Sequence, residues 1–409
     1  MTMTARLIEG GVTTPAGFTA AGVYCGIKKP NPVTHPLDLC LIASTRGPVP
    51  AAAVFTTNLA VAAPVVVSRG HLDRSGGLCA GVVVNSGCAN ACTGDAGMEV
   101  ARQMSAAAAA ALGCDTSHIF VSSTGVIGVP LNLGKIKTGI TAATVALSTD
   151  GGPDATRAIM TTDPFPKSCA AVIDTPKGRV TVGGMTKGSG MIEPRMATML
   201  GFLTTDAKVA PAVLKAALRQ VCDETFNAIT VDGECSTNDC VLLMASGLSG
   251  VEITDPSDPA LVEPLRAVAG HLAREIVRGG EGATKLVTVR VTGAASLGDA
   301  RLAARTICNS PLVKTAIHGG DPNWGRLIAA AGRSGARFVL DAASVRIGDV
   351  DLFVHGVPFD ERAAAAATVL EQERMVITVD LGTGGTDEAT MWTCDFSEEY
   401  VKINAEYRT

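Results

Sequence analysis

The stretch KGSGMIEPRMATMLGFLTTDA, residues 187–207, contains one residue whose type and setting could do chemistry. Thr198 follows Gly188, Gly190 and Pro194 and precedes the apolar run Met199 to Leu203. A threonine hydroxyl is a weak nucleophile unless a base lies within hydrogen-bond reach, and an N-terminal threonine carries such a base in its own α-amine. An α-amine of pKa about 7.8 is neutral in roughly one molecule in seven at neutral pH, whereas a lysine is neutral in roughly one in 2,500. Desolvation beside Met199 and Leu200 would favour the neutral amine further. The chain must first break between Ala197 and Thr198. A strained turn through Gly188, Gly190 and Pro194 could press the Thr198 hydroxyl onto the Ala197 carbonyl and give an ester that water opens. The products would be residues 1–197 and 198–409. On these grounds alone the plain alternative stays open: Thr198 simply alternates within a buried strand.

Other motifs fail on spacing. In TKGSG, Lys187 precedes Gly188, so the G-K-[ST] order of a phosphate loop is missing. GTGGTD, 382–387, lacks the G-x-G-x-x-G spacing and has no helical pattern behind it. The six histidines are isolated, and nothing in the sequence points to a Ser-His-Asp triad, whose partners meet only in the fold. Cys88 and Cys92, and Cys235 and Cys240, have tolerable metal spacing, but no histidine stands beside either pair, so they read as structural. The twelve cysteines are scattered from Cys25 to Cys394 rather than framed as a secreted scaffold, and read as reduced, mostly buried thiols.

The elements that must position such a site alternate helical and extended patterns, with no repeat of solenoid period. Helices are predicted from about Gly97 to Leu112, opened by Thr93 and Asp95 and stopped by Gly113; from Pro211, with Leu214, Leu218, Val221, Cys222 and Phe226 on one face; and from Pro259 behind an Asp258 cap, ending near Gly279. All three are amphipathic and should each cover a sheet. Strands are predicted at 80–85, 118–123, 196–203, 285–292, 336–341, 349–356, 375–382 and 389–396, with a hairpin signal at Gly348-Asp349. The class is α/β (α+β), with a weak boundary around residues 280–298. Apolar residues make up 47% and charged ones 18%, enough for a large core. A net charge of −5 without a Lys/Arg cluster argues against nucleic acid, and no apolar stretch approaches the ~20 residues of a membrane span. A soluble, cytoplasmic protein acting on small molecules is expected.

The segment 187–207 resembles the self-cleavage segment of the glutamate N-acetyltransferase (ornithine acetyltransferase) family of arginine biosynthesis. Ordered matches run through nearly the whole chain: GIKKPNP (26–32), AAVFTTN (52–58), VVNSGCANACTGDAG (83–97), SSTGVIG (122–128), IMTTDPFPK (159–167), VDGECSTND (231–239), GGEGATKL (279–286), DPNWGR (321–326) and YVKINAEYRT (400–409). Glu193 and Arg195 depart from the family pattern near the nucleophile, as does Cys88 where Asn is common.

The resemblance implies an α-β-β-α sandwich with a smaller C-terminal α/β part, about 285–409. It also implies self-cleavage at Ala197-Thr198 into chains 1–197 and 198–409, and a heterotetramer of two copies of each. Thr198 would be nucleophile and new N-terminus, and Thr124 and Gly125 the oxyanion hole. Thr161, Lys187, Thr198, Glu281, Asn404 and Thr409 would bind substrate, with Lys187 suited to a carboxylate and Glu281 to an ammonium. The activity implied is ping-pong transfer of acetyl from N2-acetylornithine to L-glutamate, without metal or bound cofactor, with acetyl-CoA as a further donor in some members. A C-terminal tag is then expected to hurt activity, since the carboxylate of Thr409 could approach a substrate amine. Asp321 and Arg326 read as a structural pair around Trp324, and Asp232 and Asp239 stay undecided. Three rivals stay open: an N-terminal-threonine amidase or aminopeptidase with water as acceptor, a paralogous acyltransferase of a specialised pathway, and a non-catalytic binding protein with Thr198 internal.

Overall fold

The computed structural model of the protein describes residues 4–29, 36–193 and 199–406. Four layers follow from alternation along the strands. In the parallel pair Leu200–Thr205 and Cys240–Ala245, Leu200, Phe202, Cys240, Leu242 and Met244 point to one face; Leu203, Val241, Leu243 and Ala245 point to the other. The second set packs under the helices Pro211–Glu224 and Pro259–Arg278. The first set meets Cys40, Ile42, Val82, Val84 and Phe120 of a second, four-stranded sheet. That sheet buries Leu39, Leu41, Val83, Ile119 and Val121 on its far side, against the helices Gly94–Leu112 and Leu133–Ala146. The order helix, sheet, sheet, helix is the expected α-β-β-α sandwich.

Among the described residues the larger sheet has seven strands, in the order Arg6–Ile8, Lys167–Thr175, Gly178–Lys187, Leu200–Thr205, Cys240–Ala245, Val49–Phe55 and Leu78–Cys79. Beyond it, a six-stranded sheet is centred on Leu286–Ala294, which runs parallel to Arg374–Asp380 and antiparallel to Asp387–Cys394. Val287, Val289 and Val291 bury against the helices Leu297–Cys308, Pro311–His318 and Trp324–Gly332.

Helix punctuation follows the sequence. Asp258 accepts from the Ala260 N–H at 2.9 Å, and Gly113 closes its helix at φ +68°. That helix starts at Gly94, earlier than expected, and the Thr93 hydroxyl donates to Asn90 Oδ1 rather than capping it. The strand expected at 336–341 does not form. Val339 makes a single bond to the Leu381 carbonyl, and the chain then closes into the 3₁₀ turn Leu340–Ala342. Gly348 does join a hairpin, between Ser344–Ile347 and Val350–Val354. All twelve cysteines are free thiols. No described helix is long and apolar enough to cross a membrane.

Candidate functional site

Thr124, Gly125, Thr161, Lys187, Glu281 and Asn404, scattered over 280 positions of sequence, line one cavity of about 150 Å³. Met199 and Leu200 line it too. Ala197, Thr198 and Thr409, with Arg195, lie outside the described residues.

The two sheets bring these residues together at their edges. Ile119–Val126 pairs in parallel with Gly81–Cys88 until the register slips at Gly87 and Cys88, a bulge that re-aims the Thr124–Gly125 backbone. Gly125 sits at φ +128°, and a Cβ there would stand 2.4 Å from the Gly87 carbonyl carbon, so only glycine fits.

Lys187 ends the strand Gly178–Lys187 and is 8% exposed. Its ammonium lies 3.9 Å from Asp163 Oδ2, while Lys167 Nζ donates to Asp163 Oδ1 at 2.7 Å. Asp163 also accepts from the N–H of Gly188 at 2.7 Å and of Thr161 at 3.0 Å. Burial works against the charge on Asp163, but Lys167 and Lys187 outweigh it and hold the carboxyl well below the usual carboxylate range. For Lys187 burial prevails and lowers the pKa, although Asp163, Glu281 and Asp239 oppose it. Asp163 thus fixes both Thr161 and Lys187, a role that the sequence reading missed. The signal was present: a charged pair four residues apart inside the quoted IMTTDPFPK.

The opposite wall is built around Glu281. Its backbone N–H donates to the Ser189 carbonyl at 2.9 Å, and its side chain packs so closely on Gly190 that an added Cβ would lie 2.4 Å from a carboxylate oxygen. Asn404, on the helix Glu398–Glu406, donates to Glu281 Oε2 at 2.9 Å. Asp232 accepts from Met191 and Ile192 N–H at 2.7 Å each and from the Tyr400 hydroxyl at 3.2 Å. Those bonds hold Met191 at φ +57°, an unusual conformation for a side chain of that size. The structure thus assigns Asp232 to shaping the loop at Met191 and Ile192 rather than to facing solvent.

Asp239 is 2% exposed, and its Oδ2 has no hydrogen-bond partner among the described residues. Burial pushes its carboxyl well above the usual range, despite the nearby Ser236 hydroxyl, the Lys187 charge and the Met199 N–H. The expected pairing of Asp321 with Arg326 is corrected. Asp321 accepts from Asn323 at 3.0 Å, Arg326 donates to the Leu312 carbonyl at 2.8 Å, and Trp324 donates to Asp360 at 3.0 Å. Turn formation and helix-end contacts claim both charges, and neither residue lines the cavity. Glu193 is buried and bonded to Arg305 and Asn309, so this departure ties the chain entering residue 194 to the helix Leu297–Cys308. Cys88 donates to the Val129 carbonyl at 3.2 Å. No group of three or more His, Cys, Asp or Glu among the described residues could hold a metal ion.

A model of the ArgJ family matches residues 19–409. This chain belongs to the ArgJ family. Among ArgJ relatives, the arginine biosynthesis bifunctional protein ArgJ of Symbiobacterium thermophilum is 53% identical over 407 residues, covering 98% of this chain and 99% of that protein. The protein of the same name from Chlorobaculum tepidum is 48% identical, covering 97% and 96%. Among solved ArgJ structures, the arginine biosynthesis bifunctional protein from Bacillus halodurans is 41% identical over 51% of this chain and all of its own, with a TM-score of 0.49.

Proposed function

We propose that this ArgJ-family chain moves the acetyl group from N2-acetylornithine to L-glutamate in arginine biosynthesis, through an acetyl-threonine at Thr198 formed after scission at Ala197-Thr198. The observation that carries the reading is convergence. Thr124, Gly125, Thr161, Lys187, Glu281 and Asn404 reach one cavity from both sheets, the Glu281 loop and the C-terminal helix, and Met199, the residue after Thr198, lines it.

In the first half-reaction the Thr198 amine accepts the hydroxyl proton as Oγ attacks the acetyl carbonyl. Backbone and side-chain donors at Thr124 and Gly125 meet the developing oxyanion, each worth roughly 3 kcal/mol of barrier. The C–N bond breaks, ornithine leaves with the proton, and glutamate's amine then attacks the acetyl ester. Lys187 attracts the substrate carboxylate and Glu281 an ammonium. The chemistry needs no metal or bound cofactor, and acetyl-CoA enters only as an alternative donor. The two products stay together, two copies of each, in the cytoplasm.

Mass spectrometry of the purified protein, with transfer of labelled acetyl from N2-acetylornithine to glutamate, tests this. Two chains, an acetyl adduct on the second and labelled N-acetylglutamate are expected. Release of free acetate without transfer would favour a hydrolase, and a single active, intact chain would overturn the reading.

A further inference from the structure

Among the described residues, none between positions 282 and 399 lines the cavity, yet that stretch holds the whole six-stranded sheet and the helices packed on it. Its connection to the cavity runs through the loop after Glu281, which leads into the strand Leu286–Ala294. At the centre of that connection is Asp395, the residue after the strand Asp387–Cys394.

Asp395 is 3% exposed and accepts four hydrogen bonds. They come from the Thr284 and Lys285 N–H groups at 2.8 and 2.9 Å, the Thr284 hydroxyl at 2.6 Å and Nδ1 of His318 at 2.7 Å. Burial opposes the charge on Asp395, but the bonds from Thr284, His318 and Lys285 outweigh it and hold the carboxyl below its usual range. An ionised carboxylate only accepts, so the His318 ring is the donor. His318 ends the helix Pro311–His318, and its bond therefore ties the loop to the C-terminal part. The other ring nitrogen lies 3.4 Å from Glu398, whose exposed carboxylate adds little. The Lys285 ammonium reinforces the tie by donating to the Ile317 and Leu370 carbonyls at 2.7 and 2.6 Å. From the other side the Ser397 hydroxyl donates to the Gly282 carbonyl at 2.6 Å. Glu281 is the next residue along the chain from this clamped run.

We propose that Asp395 is a positioning residue for the Glu281 carboxylate, through which the C-terminal part sets how firmly the substrate ammonium is held. The inference rests on the reading of Glu281 as the ammonium site. A binding carboxylate has to be kept within about 0.5 Å of its productive place. Asn404 restrains the oxygen end of Glu281, and the bonds to Asp395 restrain the backbone end.

The test compares acetyl transfer from N2-acetylornithine with transfer from N2-acetylnorvaline, which differs only in lacking the side-chain ammonium. The ratio of the two kcat/KM values is measured for wild type, Asp395→Asn, Glu281→Gln and the double variant, with thermal melting as the check on folding. An amide at position 395 cannot accept from all four donors, so Asp395→Asn should lower the preference for N2-acetylornithine about tenfold. Placed on Glu281→Gln, the same substitution should change the ratio no further, since it acts through Glu281. An unchanged ratio in Asp395→Asn, equal losses on both donors, or the same fall in both backgrounds overturns the proposal. Should Asp395→Asn not fold, Thr284→Val, which removes one of the four donors, decides: a ratio lowered about threefold supports the proposal and an unchanged one overturns it. A Glu281→Gln enzyme with the wild-type ratio shows instead that Glu281 holds no ammonium, and the proposal falls with that reading.

Discussion

Asn404 donates a hydrogen bond to the Glu281 carboxylate at 2.9 Å, linking the C-terminal helix to a loop 123 positions earlier in the sequence. The same amide also donates to the Tyr400 carbonyl of its own helix turn, which limits its rotation.

Removing this donor should therefore loosen Glu281 rather than the fold. In Asn404→Ala, loss of one hydrogen bond to a charged group, roughly 1.5–3 kcal/mol, should raise KM for the ammonium-bearing substrate about tenfold or more, with a smaller change in kcat. Steady-state kinetics and an unchanged melting temperature would show it.

Gly125 meets the Gly87–Cys88 backbone so closely that even a methyl group has no room. Gly125→Ala should lower acetyl transfer on the order of 10²-fold, the usual effect of losing one oxyanion donor, and cost about 1–3 kcal/mol of stability through backbone strain. Single-turnover acetylation and denaturant unfolding measure the two effects separately.

Asp163 carries the sharpest pH expectation. Its folded pKa is depressed, so the stability it contributes is fully present above the unfolded value of about 3.9 and is lost as pH falls through the folded value. Asp163→Asn leaves Lys167 and Lys187 buried without their carboxylate and should cost about 3–5 kcal/mol at neutral pH. Urea unfolding of both proteins at neutral and acid pH should show the gap narrowing in acid.

Lys187 titrates the other way. Burial lowers its pKa, so it sheds its charge at a lower pH than the ordinary lysine value of about 10.4. If its ammonium holds the substrate carboxylate, kcat/KM should fall on the alkaline side before an ordinary lysine would ionise. Lys187→Met should lower kcat/KM and flatten that limb, as a pH series with both enzymes would reveal.

Much of this was legible because some signals are local. Pro211 and Pro259 at helix starts, Asp258 as a cap and Gly113 at a helix end act through their own backbone, so the three helices could be read directly. The strand Gly178–Lys187 escaped notice because Gly183 and Gly184 break its apolar alternation. Their reason is tertiary: a Cβ on Gly183 would lie 2.0 Å from the Gly11 carbonyl oxygen, and one on Gly184 would lie 2.5 Å from Leu203. ARFVLD misled in the opposite sense, since its composition suits a strand but it finds only one ladder partner. Site residues in quoted motifs could be named, and the i,i+4 spacing of Asp163 and Lys167 was visible in IMTTDPFPK, whereas the contact of Asp163 with Lys187 and the burial of Asp239 depend on strands brought together from elsewhere, which no spacing reveals.

The strand Leu200–Thr205 lies inside the seven-stranded sheet, bonded to Gly178–Lys187 on one side and to Cys240–Ala245 on the other. A cut at residue 197 would therefore leave the two pieces laced through a shared interior rather than touching at a surface. The uncut chain could regain its shape alone after denaturation, in a first-order process. The cut molecule would need two strangers to meet, so its renaturation yield would fall with dilution, and maturation would act as a one-way door.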